Sequence, residues 1–193
     1  MRLSDVAEVQ IGFPFRGRVV HDPAGGVLVV QMKDIGDDGR LRVEDAIRVN
    51  LPSAGRRHLL RRGDLLFRSR GRSNTAAVFD DQAERAVLAA PLILIRPRRG
   101  VTPAYLAWFL NSPPTQAALA RLASGTSVQV INAESVKDLE IPLPSIERQE
   151  AIAHVAALAS RERELENRIA ELRRRAIEAR LMRHAKDSRR IPG

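Results

Sequence analysis

One short loop contains the side chains that are best suited to binding a polyanion. It spans residues 68–75 and follows an apolar stretch. Arginine can bind guanine through two hydrogen bonds, asparagine can bind adenine, and serine or threonine can contact either base. No acid occurs between Leu65 and Phe79. We therefore expect this loop to contact DNA, the alternative being a solvated charged turn. Its candidate residues are Arg68, Ser69, Arg70, Arg72, Ser73, Asn74 and Thr75.

Two further loops carry basic or polar side chains next to glycines. Residues 12–18 place two arginines where guanidinium groups can reach phosphates. The alternative is that residues 12–18 form a solvated turn whose two phenylalanines belong to the core. Residues 125–129 form a polar loop before the last predicted strand, for which ordinary loop geometry is the alternative. The candidate contacts are Arg16, Arg18 and Lys33 for phosphates, and Thr126, Ser127 and Gln129 for bases.

Catalytic signatures are absent from the sequence. It has no phosphate-binding loop of the G-x-x-x-x-G-K-[ST] type and no G-x-G-x-x-G after a strand. The run Asn111-Ser112-Pro113-Pro114-Thr115 lacks the aromatic residue and the spacing of an adenine methyltransferase loop. There is no cysteine, and the four histidines do not occur at metal-pair spacing. We expect a chain that is not an enzyme and holds no metal or cofactor of its own.

Composition favours a globular, basic protein. The 193 residues are 44% hydrophobic and carry a formal net charge of +9, which favours a nucleic-acid partner. Seven arginines lie between positions 56 and 72 against a single acid, Asp64, although the arginine content as a whole could be merely compositional. No run of eighteen apolar residues and no signal peptide is evident. We expect a cytoplasmic protein with no membrane segment.

The pattern of elements predicts an α+β fold in which a small mixed α/β domain precedes one long helix. Apolar runs predict strands at residues 26–32, 64–68 and 139–141, and one or two strands at 85–95. Thr102 and Pro103 signal the start of a helix, a second helix is expected at 114–123, and Asn132 can cap a short turn at 133–138. The predicted divisions are 1–144 for the domain, 145–187 for the helix and 188–193 for a flexible tail.

A heptad pattern occupies the C-terminal helix. Apolar residues recur at alternating steps of three and four, as in the seam of a coiled coil. Roughly forty helical residues at about 1.5 Å each make a rod of about 60 Å. Such a rod needs a partner helix, the alternative being that it packs on its own domain. The expected dimerisation residues are Val155, Leu158, Leu165, Ile169 and Leu172.

Several short motifs, in the same order along the chain, resemble those of the specificity (S) subunits of type I restriction-modification systems. Each combines a glycine, proline or polar residue with a short apolar stretch, and together they extend over nearly the whole chain. Arg148 departs from the family pattern, which usually has Glu there. The matching segments are residues 3–9 with 12–15, 31–35 with Gly39, 62–67, 103–106 with 110–112, and 141–144 with Gln149.

The resemblance implies a DNA specificity subunit that uses a target recognition domain to direct DNA adenine methyltransferase (M) subunits, and a restriction (R) subunit, to double-stranded DNA. S-adenosylmethionine would bind to the methyltransferase partner. A typical S subunit has two such units in tandem, so the chain resembles a half-size form, and we expect a homodimer. The alternatives are the specificity subunit of a methyltransferase in another phage-defence system, and a coiled-coil scaffold that does not bind DNA.

Overall fold

The computed structural model describes residues 1–51, 58–71, 73–80, 85–122 and 130–187. They form two compact units, Met1–Ala151 and a second one that begins at Ile152. The elements in chain order are α1 (Leu3–Val6), β1 (Ala7–Ile11), β2 (Val27–Val30), a 3₁₀ turn (Met32–Asp34), β3 (Ile47–Val49), β4 (Leu65–Phe67), β5 (Ala76–Val78), β6 (Ala86–Leu88), β7 (Ile93–Pro97), α2 (Pro103–Asn111), α3 (Pro113–Leu122), α4 (Ala133–Lys137) and α5 (Ile146–Asp187).

The strands form two small sheets. One has the order β1-β7-β4-β5 and is antiparallel throughout. The other has the order β3-β2-β6, in which β2 pairs antiparallel with β3 and parallel with β6. Each of these strands has only three to five residues, so the two sheets depend on the core that they share.

Strand β2 shows how the sequence builds that core. All four of its residues are buried. Successive side chains of a strand point to opposite faces. Leu28 and Val30 accordingly join a cluster that includes Leu66 and Leu94 of the first sheet, so this cluster links the two sheets. Val27 and Val29 join a second cluster on the other face of β2, which Phe13 and Phe15 partly cover (Val27 and Val29, with Val49, Val87 and Ala89, are its buried members).

A buried ion pair fixes the start of β4. Asp64 is 1% exposed and accepts hydrogen bonds from Nε and Nη2 of Arg96 at 2.7 Å each. These hydrogen bonds raise the pKa of Arg96. The other contacts of Asp64 include the amide of Arg61 at 2.7 Å. Gly63 has φ +88°, and a Cβ there would lie 3.1 Å from Pro103, so the turn before the strand favours glycine.

Helix α2 covers the edge of the first sheet. It begins as the sequence predicts, because the Thr102 side chain accepts a hydrogen bond from the Tyr105 amide and Pro103 occupies the first turn. At its other end the Asn111 side chain donates to the carbonyl of Ala76 and accepts from its amide, both at 2.8 Å. Asn111 thereby satisfies backbone groups of the edge strand β5, as a neighbouring strand would.

The predicted fold class, a mixed α/β unit followed by one long helix, is confirmed. The expected strand at 139–141 is wrong as a strand, because Glu140 forms only an isolated bridge to Arg2. Strands β1, β3 and β5 were not expected. Among the described residues, no helix combines the length and apolar character needed to cross a bilayer. The predicted tail, 188–193, lies outside those residues.

Candidate nucleic-acid interface

The arginine loop is the connection between β4 and β5. The two limbs of this hairpin are joined where the Arg68 amide donates to the Thr75 carbonyl at 2.9 Å. The Asn74 side chain donates to the Arg68 carbonyl at 3.0 Å, and Gln116 of α3 donates to the Asn74 carbonyl at 2.9 Å. These hydrogen bonds therefore hold the two ends of the loop together.

Three of the polar side chains that we predict to contact DNA are buried. Ser69, Asn74 and Thr75 are 2%, 8% and 7% exposed. The Ser69 hydroxyl donates to the Pro91 carbonyl at 2.6 Å, and the Thr75 hydroxyl donates to Ser73 at 3.1 Å. Contact of these three with bases stays a prediction, and it would require them to give up internal hydrogen bonds.

Arg68 is also turned into the protein, with 15% of its side chain exposed. Its Nη1 donates to the Ile35 carbonyl at 3.2 Å and to Asp37 Oδ1 at 2.6 Å. Gly71 has φ +115°, and a Cβ there would lie 3.4 Å from Arg68 Nη2. The guanidinium group therefore packs against the backbone of the loop.

Arg70 is the exposed arginine among the described residues of the loop. Its backbone forms a bridge to Val130, and the amide of Ile131 donates to the Ser69 carbonyl at 2.8 Å. The chain segment that ends the third predicted loop thus pairs with the arginine loop. Four predicted contacts, Arg72, Thr126, Ser127 and Gln129, lie outside the described residues.

The first loop begins with a close backbone approach. The amide of Gly12 donates to the Leu92 carbonyl at 2.8 Å and that of Phe13 to the Leu88 carbonyl at 2.6 Å. A Cβ on Gly12 would lie 2.6 Å from the Leu88 carbonyl oxygen, which only glycine avoids. Phe13 and Phe15 pack against the core with ring centroids 4.8 Å apart. The phenylalanines are therefore anchors.

Two exposed arginines follow this anchor. Arg16 and Arg18 are both exposed. The loop that carries them is attached to the turn at residues 89–92, to which the arginine loop is also attached through Ser69 and Pro91. The structure therefore links two of the predicted DNA-contacting loops to one turn of the domain.

Lys33 lies on the 3₁₀ turn beside the arginine loop. Met32, the first residue of this turn, lies next to the loop, since a Cβ on Gly71 would be 3.8 Å from Met32 Cε. Lys33 Nζ is exposed and lies 3.9 Å from Asp34 Oδ1 and 3.4 Å from the Asp45 carbonyl. Asp34 is buried, and this burial raises its pKa. Its second carboxylate oxygen accepts from the Gln31 amide at 2.8 Å, which fixes the turn.

A separate candidate surface runs along α5. The predicted seam residues are exposed, from 48% for Leu165, Ile169 and Leu172 to 65% for Val155 (Leu158 is 58% exposed). Ion pairs between residues three or four apart line the helix, including Arg161 with Glu164 and Arg168 with Glu171 at 2.8 and 2.9 Å. Such pairs stabilise an isolated helix only slightly. Within the second unit, the apolar stripe is therefore exposed.

Two residues have roles that the sequence did not reveal: Gln149, which appears above only as part of a motif, and Asp37. Gln149 is fully buried: its Oε1 accepts from the Thr102 amide, and its Nε2 donates to the carbonyls of Gly100 and Pro144, each at 2.9 Å. Asp37 holds the arginine loop. A glutamine at a fixed place after the proline-bounded segment was visible, whereas nothing local in the sequence indicates the role of Asp37.

The described residues contain no group of three or more histidine, aspartate or glutamate side chains able to hold a metal ion. Their exposed basic side chains and hydrogen-bonding groups are suited to binding an anion.

Comparisons with known proteins identify the architecture. No family model and no curated protein matches the sequence. Among solved structures, the HsdS subunit of Thermoanaerobacter tengcongensis matches with a TM-score of 0.60 at 20% identity, over 83% of this chain and 36% of that one. The type I restriction-modification S subunit of M. genitalium gives 0.56 at 16% identity, over 82% and 37%.

A third match comes from a structure of a type I restriction-modification system, solved to explain complex assembly and conformational transition. Its TM-score is 0.65 at 21% identity, and the alignment covers 94% of this chain and 42% of the other. The chain therefore spans about two fifths of the length of each of these structures. It has the fold of type I restriction-modification S subunits, in the form of one mixed α/β unit and one long helix.

Proposed function

We propose that this chain supplies one recognition unit of a DNA specificity subunit of a type I restriction-modification system. The observation that carries the proposal is the fold that this chain shares with the HsdS subunit of Thermoanaerobacter tengcongensis over 83% of its length. The chain itself would not be catalytic. It would bind double-stranded DNA and direct DNA adenine methyltransferase subunits, which carry S-adenosylmethionine, to the target, and a restriction subunit would join that complex in phage defence.

The location of exposed basic residues supports DNA binding by the first unit. Arg16 and Arg18 follow an anchor on the turn at 89–92, Arg70 projects from the loop joined to the same turn, and Lys33 lies on the adjacent 3₁₀ turn. Guanidinium and ammonium groups supply the charge that attracts phosphates, and arginine also reads guanine. Arg70 is our leading candidate for base contact, together with Arg72, Thr126, Ser127 and Gln129.

The exposed seam on α5 supports self-association. A C2 dimer uses the same surface on both copies. Two helices paired antiparallel would bury both seams and carry one recognition domain at each end. Both domains would then read the same half-site in inverted orientation, so the target would be an interrupted palindrome with a nonspecific spacer.

Selection of bound duplexes from a random DNA library, with the purified full chain and separately with a cognate methyltransferase, tests the proposal. We expect an enriched bipartite sequence. Binding should fall steeply with salt, with a slope of roughly −0.9 per neutralised phosphate in a plot of log K against log salt. Absence of any salt-dependent binding would favour a coiled-coil scaffold, whose arginines are compositional.

The variant Arg70→Ala identifies the reading surface. We expect a loss of roughly five- to 150-fold in affinity for the selected sequence, because one arginine contact to a base contributes about 1–3 kcal/mol. Arg163→Ala removes the same charge from an exposed position on α5 and is the matched control. Equal affinities of the two variants for the selected duplex would remove Arg70 from the site.

A further inference from the structure

An acidic residue supports the basic loop. Asp37 follows the 3₁₀ turn, and 73% of its side chain is exposed. An exposed carboxylate near a phosphate backbone opposes DNA binding through charge repulsion. Asp37 lies beside the arginines, and attraction to DNA cannot explain why a carboxylate is found there.

One oxygen of Asp37 connects the two limbs of the loop. Oδ1 accepts from Arg68 Nη1 at 2.6 Å and from the Ser73 hydroxyl at 2.6 Å. Arg68 lies where the chain enters the loop and Ser73 where it leaves. The Ser73 hydroxyl in turn accepts from Thr75 at 3.1 Å, which extends the network to the start of β5.

The network acts from outside the hairpin. Asp37 lies in the segment that follows β2, on the second sheet, whereas the loop joins two strands of the first sheet. The Ile35 carbonyl accepts from the same Nη1 of Arg68 at 3.2 Å, so two groups of this segment hold the guanidinium. Hydrogen bonds in which a partner is charged are stronger than neutral ones.

We propose that Asp37 is a positioning residue for DNA sequence readout: its carboxylate presets the conformation from which the arginine loop presents Arg70 to the bases. This role rests on the proposed DNA-binding function. A preset loop loses less conformational freedom on binding, so the correct sequence gains affinity that a mobile loop would forfeit. Nonspecific binding depends mainly on net charge and gains little from the preset conformation.

The experiment compares affinities for the selected duplex and for an unrelated duplex in wild type and three variants of the full chain. Asp37→Ala removes both hydrogen bonds that join the limbs, and Ser73→Ala removes only the one to Ser73. Asp37→Asn retains an oxygen that can accept from Ser73 but loses the negative charge. Amide hydrogen exchange in the loop is measured on the same samples without DNA. Asp45→Ala is the control, because Asp45 is exposed and removing it changes the net charge equally.

We expect Asp37→Ala to lower the ratio of specific to nonspecific affinity by roughly tenfold, which corresponds to about 1.4 kcal/mol. Its affinity for the unrelated duplex should stay the same or rise, since a negative charge is lost. Loop amides should exchange faster. Ser73→Ala and Asp37→Asn should cause smaller losses of the ratio, and Asp45→Ala none.

An unchanged ratio in Asp37→Ala, or an equal change in Asp45→Ala, would overturn the proposal, as would unchanged exchange in the loop. If Asp37→Ala fails to fold, the ratios of Asp37→Asn and Ser73→Ala decide, and wild-type values for both would reject the role. A wild-type chain that selects no sequence would remove the proposed function and this role together. A selective wild type with an unaffected Asp37→Ala variant would remove only the role of Asp37.

Discussion

Several residues that carry the resemblance to S subunits have structural roles. Asp64 forms a buried ion pair with Arg96, Asn111 satisfies the backbone of β5, and Gln149 connects the first turn of α5 to the start of α2. The exposed candidate contacts, such as Arg70, lie on loops between these supports. This separation allows one framework to present different loop sequences, which is how a specificity subunit could change its target without changing its fold.

Gln149 gives a prediction for stability. Replacing it with alanine leaves two carbonyls and one amide without their partner, so we expect a loss of about 3 kcal/mol and a fall in Tm of roughly 10 °C. Gln149→Glu should also destabilise, since a carboxylate cannot donate to the carbonyls of Gly100 and Pro144. Glu150→Ala, at an exposed neighbouring position, should change stability by less than about 0.5 kcal/mol. Chemical denaturation measures all three, and a wild-type value for Gln149→Ala would contradict the assignment.

Elements with local signals were predictable from sequence, and those defined by distant pairing were not. Helix α2 has its own cap in Thr102 and its own start in Pro103. Strand β5 contains two alanines in three residues, and its position depends on β4 and on Asn111. Strand β1 pairs with β7, which lies more than eighty residues later. The composition of the arginine loop predicts contact with DNA, whereas the burial of Ser69 and Thr75 depends on segments that are distant in sequence and could not be predicted.

The start of α5 belongs to the first compact unit. The compact unit extends to Ala151, whereas the predicted division at 144 falls before Gln149. A chain truncated after Ala151 should therefore fold cooperatively as a monomer, and one truncated after Pro144 should melt at least several degrees lower because it lacks Gln149. Circular dichroism melts and light scattering distinguish them. Equal melting temperatures would show that Gln149 does not stabilise the unit, and an unfolded Ala151 truncation would show that the unit needs the rest of α5.

The length and the exposed apolar surface of α5 constrain how the protein assembles. Its 42 residues extend about 63 Å at roughly 1.5 Å per residue. Large apolar side chains occur both on the seam and outside it, at Ile177, Leu181 and Met182. A seam that is exposed over most of this length favours a partner helix of comparable length, and a second copy of the same chain supplies one.

Leu165 and Ile177 make a matched pair for testing that assembly. Both are exposed apolar residues of α5, at 48% and 61%, but Leu165 lies on the heptad seam and Ile177 one residue beyond a seam position. We expect Leu165→Glu to convert a dimer into a monomer at micromolar concentration, because a buried unpaired charge is costly, and Ile177→Glu to leave the dimer intact. The triple replacement of Leu165, Ile169 and Leu172 by glutamate should abolish the dimer completely.

The DNA sequence that the protein selects tests whether the dimer has two-fold symmetry. Loss of the dimer should reduce the selected site from an interrupted palindrome to a single half-site, because each domain then binds alone. Light scattering gives the mass, and library selection gives the sequence. A wild-type monomer together with an asymmetric methylated sequence would contradict the homodimer, and would indicate instead that a different half subunit covers the seam of α5 and supplies the second half-site.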